Sequence, residues 1–395
     1  MIVFMYPGQG SQKSGMGEAW VDHPSWELVV DAAETSGRDL ENLLLRADDD
    51  ELKETRNAQL ATFLTSMVVY DAVQRVGVEA AAHAGHSLGE YSALTASGAL
   101  DFDDAVRLVY ERGEAMQVCA EAQEGTMAAI IGLDDNKVES ACHRIDDDVW
   151  VANYNAPGQV VIAGSPEAVA AAGDVAKELG AKRAMPLPVS GAFHTPFMGP
   201  ARDRLRKAID QVDFRDPDHP VYANVDAIGH GSAADWPALL SSQLTSPVRW
   251  RQSLNELESQ GFTTFVELGP GTVLTGTVKR TAKGASNLKV NTPADIDALL
   301  EAVSGQPSSG GAGTGSLEGE TLFATERLVV SPCAGVFTAV ENEDAGTIIE
   351  AGRLLGHVNG VEVRSAFAGE LQGFLAVEGE RVTASQPIAW LRTRA

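Results

Sequence analysis

The spacing of hydrophobic positions changes along the chain, and each change marks an element. Residues 2–6 are apolar without a break and stop at Pro7-Gly8-Gln9-Gly10, which predicts a buried strand ending in a tight turn. In residues 59–76 the side chains Leu60, Phe63, Leu64, Val68, Val69, Ala72 and Val73 keep to one helical stripe. A short strand at 81–84 runs into Gly85-His86-Ser87-Leu88-Gly89, and residues 88–96 read as a helix stopping near Gly98. Residues 103–119 form another helical pattern, with Asp103 and Asp104 where the first turn favours acids. Residues 263–268 are strand-like and end in Gly269-Pro270-Gly271. Strand and helix alternating in this way predict a parallel sheet covered by helices.

An insertion interrupts the alternation. Residues 126–133 are strand-like and 134–145 helical; 149–154 and 159–164 are two strands joined by Asn155-Ala156-Pro157-Gly158. Residues 166–179 form a helix with proline in its first turn, and 182–187 a last strand. The order β-α-β-β-α-β is that of a ferredoxin-like subdomain, at about 125–188. Residues 304–320, SGQPSSGGAGTGSLEGE, carry almost no large apolar side chain and read as a flexible linker. They divide an α/β domain at 1–303 from a second domain at 321–395. The latter has short β-type runs between glycines and a hairpin signal at Asn359-Gly360. Its halves echo each other: Ser331-Pro332-Cys333-Ala334-Gly335-Val336 against Ser365-Ala366-Phe367-Ala368-Gly369-Glu370, and residues 348–355 against 381–388. An all-β domain of two similar halves is expected.

Composition and charge narrow the class. At 395 residues the chain exceeds one ordinary core. Hydrophobic residues make up 44% and charged residues 22%, the balance of a soluble globular protein. A formal net charge of −25 argues against nucleic acid as a partner. Three scattered cysteines exclude a disulfide framework and a cysteine zinc site. No stretch reaches the ~18 apolar residues of a membrane helix, and no basic-then-apolar signal opens the chain. A cytoplasmic protein without membrane contact or a bound metal is expected.

The candidate chemistry starts at Ser87, in a G-x-S-x-G sequence at a strand-to-helix junction. That setting exposes a serine hydroxyl on a sharp turn and frees the next N–H to hold an oxyanion. The motif is short enough to arise by chance, so its weight depends on a base, oxyanion donors and a substrate contact elsewhere. Of eight histidines, His194 lies in a loop, Pro188-Val189-Ser190-Gly191-Ala192-Phe193-His194-Thr195-Pro196, where functional groups concentrate; a surface histidine is the alternative. His86 adjoins Ser87, but neighbours on a tight turn point apart, so it reads as a packing or hydrogen-bonding residue. The Leu88 N–H opens a helix and the Gln9 N–H lies between glycines, which makes both candidate oxyanion donors; a plain strand-end turn is the alternative for Gln9. Arg112 lies mid-helix, and its planar fork suits a carboxylate. A solvated arginine paired with Glu111 or Glu114 is the alternative, and composition alone favours it.

These residues belong to a longer series. Over roughly residues 1–300 the chain resembles the malonyl-CoA:acyl carrier protein transacylases. The resemblance rests on Pro7-Gly8-Gln9-Gly10-Ser11-Gln12, Gly85-His86-Ser87-Leu88-Gly89-Glu90-Tyr91-Ser92-Ala93-Leu94, and Arg112-Gly113 with Met116-Gln117. It continues through Asn153-Tyr154-Asn155-Ala156-Pro157-Gly158-Gln159, Ser190-Gly191-Ala192-Phe193-His194, Gln243-Leu244-Thr245-Ser246-Pro247-Val248-Arg249-Trp250 and Glu267-Leu268-Gly269-Pro270-Gly271. It implies Ser87 as acylated nucleophile, His194 as its base, and the Gln243 backbone carbonyl as orienter in a Ser–His dyad. It also implies a hydrolase-like α/β body with the ferredoxin-like insertion, an oxyanion hole of Gln9 and Leu88, and Arg112 on the free malonyl carboxylate. Met116 and Phe193 are implied at the substrate, and Leu88 with Phe193 goes with malonyl rather than methylmalonyl. The implied partners are malonyl-CoA and an acyl carrier protein of fatty acid or polyketide synthesis, with coenzyme A thioester as substrate and no further cofactor. A serine thioesterase or hydrolase is the rival class; it would have no use for Arg112.

The tail resembles a biotinyl/lipoyl carrier domain, a flattened barrel that presents a lysine at a hairpin tip. Glu362-Val363-Arg364-Ser365-Ala366-Phe367-Ala368-Gly369 resembles the segment after that lysine. The expected tip, His357-Val358-Asn359-Gly360, has none, and the chain's last lysine is Lys289. Neither biotin nor lipoate is therefore expected. Two roles stay open: docking to a carboxylase, another synthase component or a carrier protein, and a solubilising or dimerising appendage.

Overall fold

The computed structural model describes residues 1–189, 191–304, 326–340, 346–350, 352–365, 368–377, 379–382 and 386–392. Ser190, residues 305–320 of the expected linker, and Ala351, Ala366, Phe367 and residues 383–385 of the tail repeat lie outside them. The chain divides into two compact units, Met1–Pro307 and Ser308–Ala395. Ser304, the first residue of the expected linker, is the last of the helix Ala294–Ser304.

The strands of the first unit are β1 Ile2–Tyr6, β2 Ala82–Gly85, β3 Thr126–Ile131, β4 Val149–Ala156, β5 Gln159–Gly164, β6 Arg183–Pro186, β7 Val221–Tyr222, β8 Gly229–His230, β9 Thr264–Leu268 and β10 Ser286–Val290. The body sheet has the order β10-β9-β1-β2-β7-β8. It is parallel from β10 to β7, while β8 runs antiparallel at the edge. The parallel sheet read from the sequence thus gains an antiparallel edge, from strands too short to leave a period. Val3 and Met5 join one core with Trp250, Leu254, Phe265 and Leu274. Phe4 and Tyr6 join another with Trp20, Leu60, Phe63 and Leu64. Burial on both faces is why β1 is apolar at every position.

Between β2 and the helix Gly89–Ala96 the chain turns sharply through Ser87, whose φ is +53°. Both flanking glycines are forced by close approach. A Cβ on Gly85 would lie 1.9 Å from the Gly89 carbonyl, and one on Gly89 would lie 2.0 Å from the Tyr6 oxygen. Backbone cannot yield as a flexible side chain would. Gly89→Ala should therefore destabilise the first unit by about 3 kcal/mol, read as a lowered urea midpoint.

The inserted sheet has the order β4-β5-β3-β6 with every neighbour antiparallel, the arrangement a split βαβ unit requires. Ala156 pairs with Gln159, so the β4–β5 turn is Pro157-Gly158 alone, and Asn155 and Ala156 belong to β4 rather than to the turn. The β4 backbone is tied to the body by Tyr154 N–H to Val248 O at 2.9 Å and Val248 N–H to Ala152 O at 2.9 Å. Arg251 adds a two-pronged ion pair to Asp135.

The second unit holds β11 Glu326–Val330, β12 Gly335–Ala339, β13 Ile348–Ile349, β14 Leu354–Val358, β15 Val361–Arg364, β16 Gly369–Phe374, β17 Arg381–Val382 and β18 Pro387–Arg392. Its sheets run β11-β18-β16-β13 and β15-β14-β12-β17. Replacing β11 to β14 by β15 to β18, and the reverse, converts one order into the other, so the internal echo corresponds to a pseudo-two-fold. Phe337, Leu355, Val363, Leu371 and Leu391 form the core between the sheets. The β14–β15 turn places Asn359 at φ +50° and Gly360 at +81°, the two positive values a tight hairpin needs. Among the described residues no helix is long and apolar enough to cross a membrane.

Candidate active site

Ser87 Oγ lies 2.8 Å from His194 Nε2, and His194 Nδ1 lies 2.9 Å from the Gln243 backbone oxygen. A carbonyl only accepts, so Nδ1 carries the proton. Nε2 is then free to accept from the Ser87 hydroxyl. Like Ser87, His194 has a positive φ, +61°, a conformation costly for a residue with a Cβ. Burial, with the Arg112 charge second, pushes the His194 pKa down to about 3. The imidazole is therefore held neutral, as a base must be.

Arg112 is fully buried. Its Nη2 donates to Ser87 Oγ at 3.1 Å and to Gln243 Oε1 at 3.0 Å, and its Nη1 donates to Gln59 Oε1 at 2.5 Å. Glu111 instead pairs with Arg204, and Glu114 with Arg56, so the solvated alternative for Arg112 is excluded. Among the described residues no carboxylate forms an ion pair with this guanidinium, and its Nε has no hydrogen-bond partner. Tyr91 lies beneath it, with the ring centroid 5.5 Å away. A buried cation with no carboxylate in direct contact, beside a serine hydroxyl, is a receptor for an anionic group.

A cavity of about 180 Å³ opens at Ser87 and His194. Gln9, Ser87, Met116, Phe193 and His194 line it, with Asn153, Asn155 and Gln159 from the inserted sheet and Val273, Leu274 and Arg280 from the body. Neither the Gln9 N–H nor the Leu88 N–H has an acceptor among the described residues, so both remain free for an oxyanion. Leu88 itself already has helical angles, φ −54° and ψ −40°, directly before the helix Gly89–Ala96. His86 bonds Asn155 Oδ1 through Nε2 at 2.8 Å and meets Trp250 edge-on, while lining the same cavity as Ser87.

A family model described as the acyl transferase domain matches residues 3–295. The chain belongs to the acyl transferase family. The malonyl CoA-acyl carrier protein transacylase of Bacillus subtilis (strain 168) is 43% identical over 305 residues, 76% of this chain and 96% of that relative. The enzyme of the same name from Escherichia coli (strain K12) is 42% identical over 305 residues, covering 76% and 99%. Among solved structures, an acyl carrier protein S-malonyltransferase from Vibrio cholerae matches with a TM-score of 0.73 at 40% identity, over 75% of this chain and 99% of that one. A malonyl transacylase solved in complex with its type II PKS acyl-carrier protein matches with a TM-score of 0.73 at 39% identity, over 76% and 99%.

This acyl transferase site also uses residues the sequence reading left out. Gln59 holds Arg112, and Asn224 accepts the Ser87 N–H at 2.7 Å while donating to the Gly85 oxygen at 2.7 Å. Glu90 is fully buried and accepts from the Asn224 N–H at 2.8 Å and from Gln243 Nε2. Burial raises its pKa to about 7 against the pull of those bonds and of Arg112. Gln59, among Asn57, Thr62 and Thr65, carries no usable signal in the sequence, but Glu90, the single charged residue of the helix Gly89–Ala96, carries one. Arg112 does too: it stands on the stripe Ala105, Leu108, Val109, Ala115, Met116, Cys119 of the helix Phe102–Ala122, where no solvated arginine fits. Asn224 lies between β7 and β8, with no pattern to mark it.

Proposed function

We propose that the chain transfers the malonyl group from malonyl-CoA to the phosphopantetheine thiol of an acyl carrier protein, in fatty acid or polyketide synthesis. The carrying observation is Arg112, buried without a carboxylate partner and 3.1 Å from the Ser87 hydroxyl. A guanidinium there pairs with the free carboxylate of the acyl group in two-pronged fashion and brings its thioester carbon to Ser87.

His194 Nε2 takes the Ser87 proton as Oγ attacks the thioester carbonyl. The Gln9 and Leu88 N–H groups receive the oxyanion of the tetrahedral intermediate. Collapse breaks the C–S bond, and His194 returns its proton to the departing coenzyme A sulfur. The malonyl-serine ester then meets the carrier thiol, whose proton passes to His194 as its sulfur attacks. Ser87 is regenerated by the same steps in reverse order, a ping-pong scheme. Gln243 keeps the imidazole in the required tautomer throughout. Met116 and Phe193 form apolar walls of the acyl pocket.

The second unit is read as a biotinyl/lipoyl-like barrel without the modified lysine. Two four-stranded sheets, the pseudo-two-fold and the tight β14–β15 hairpin support this. Asn359 stands at the hairpin tip; its Nδ2 donates to the Ala334 oxygen at 3.1 Å, which ties the tip down. The unit then serves as a docking module for a carboxylase or another synthase component, raising its local concentration at the transferase through the linker.

Intact-mass measurement after incubation with malonyl-, methylmalonyl- and acetyl-CoA tests the reading, on the full chain and on a chain ending at Ser304. A single malonyl adduct is expected on both, absent in Ser87→Ala. No adduct from any donor would overturn the transfer mechanism, and loss of the adduct in the shorter chain would overturn the separate role of the second unit.

A further inference from the structure

The geometry points to Glu90 as a positioning residue that fixes the side-chain amide of Gln243 and, through it, holds the Arg112 guanidinium against the Ser87 hydroxyl. This role rests on the acyl-transfer reading above and deepens it, because it makes a buried carboxylate a determinant of acyl selectivity.

The Gln243 amide lies between a group that can only donate and one that, ionised, can only accept. Its Oε1 takes the Arg112 Nη2 proton at 3.0 Å. Its Nε2 donates to the Ser87 carbonyl at 2.9 Å and to Glu90. Turned end for end, the amide would set its NH₂ against the guanidinium and its oxygen against both the carboxylate and the carbonyl. Glu90 therefore allows one orientation of the amide, and that orientation points an oxygen at Arg112. The other Glu90 oxygen accepts the Asn224 N–H at 2.8 Å, and Asn224 Oδ1 accepts the Ser87 N–H at 2.7 Å. Both peptide groups of the left-handed Ser87 are thus held by side chains that converge on one carboxylate. Glu90 touches neither Ser87 Oγ nor the cavity, so it acts only through Gln243 and Asn224. Ionised Glu90 and Arg112, both fully buried, face each other across the amide, and each steadies the other.

Glu90→Gln keeps the size and replaces one acceptor oxygen by a donor. The new amide can serve Gln243 or the Asn224 N–H, not both, and it removes the charge. With the variant folded, the ratio of malonyl to acetyl adduct formation rates should fall about 10-fold or more. In an Arg112→Ala background the same change should leave that ratio unmoved, because the relay ends at Arg112. A carboxylate with a merely structural role would slow both donors alike and keep the ratio, which would overturn the assignment. If Glu90→Gln does not fold, Gln243→Met removes the relay amide and retains the backbone carbonyl that holds His194. The same loss of preference is then expected, and an unchanged ratio overturns the proposal. Wild-type protein measured alongside separates the two readings. No malonyl adduct from wild type would defeat the acyl-transfer reading itself; a wild-type ratio preserved in the variants would defeat only the role of Glu90.

Discussion

Arg112→Ala is expected to lower kcat/KM for malonyl transfer by about 10³-fold, equivalent to about 4 kcal/mol, while acetyl transfer persists. The magnitude follows from burial. A fully buried guanidinium gives its two-pronged bond to a carboxylate close to full strength, and an alanine leaves that carboxylate without a cation, facing Gln59 and Gln243. The persistence of acetyl transfer follows from the division of labour at the site. Nucleophile, base and oxyanion donors do not need the guanidinium. Its charge depresses the basicity of His194, second only to burial, so its removal strengthens the base for a donor without a carboxylate. The same argument gives malonyl-CoA an advantage beyond affinity. Its carboxylate neutralises Arg112 on binding and draws Nη2 away from the Ser87 oxygen, which leaves the hydroxyl to His194. Steady-state kinetics with both donors check this. Unchanged malonyl turnover would remove Arg112 from acyl selection and favour a hydrolase-like site; equal loss with both donors would point to a collapsed pocket.

How much of this arrangement is legible in the chain depends on the kind of signal each residue leaves. A strand buried on both faces, such as β1, announces itself as an unbroken apolar run, whereas β9 is as buried but carries Thr264 and Glu267; the glycines of the Ser87 turn follow from contacts that no Cβ tolerates. The inserted subdomain is readable because each of its elements is long enough to show a period. β7 and β8 are two residues each, and the antiparallel edge they form is decided by pairing, not by pattern. Arg112 is the instructive case: its residue type left a solvated arginine open, whereas its position on a buried helical stripe decides against one. Asn224 shows the opposite limit. It comes 137 residues after Ser87 and holds the serine N–H through a contact that only the folded sheet creates. The pseudo-two-fold of the second unit was visible as an internal echo, because equivalent strands must solve the same packing problem twice.

His194→Ala should slow acylation of Ser87 by about 10⁴-fold, at the upper end of what a positioned base contributes. Here the base, its tautomer and its partner are all fixed before substrate arrives. The pH behaviour of the imidazole is the sharper test of that arrangement. With its pKa pushed down to about 3 by burial and Arg112, His194 should stay neutral from pH 8 to pH 5 in the folded protein, whereas a free histidine takes up its proton near 6.5. Between those values the unfolded chain binds a proton that the folded chain refuses. This group's contribution to stability is thus complete above the unfolded pKa and is lost as pH falls toward the folded one. Glu90 has the opposite sign: its folded pKa of about 7 lies above its ordinary value, so the stability linked to it is present at low pH and lost as pH rises through 7. These two trends oppose each other between about pH 4.5 and 6.5, so their joint contribution is nearly flat there, and the imidazole resonances are the direct readout. A His194 signal titrating near 6.5 would mean that the ring is solvated and the dyad open. A signal unmoved down to pH 5 would mean that serine, imidazole and the Gln243 carbonyl hold the proton on Nδ1, leaving Nε2 to accept the one that acyl transfer must move.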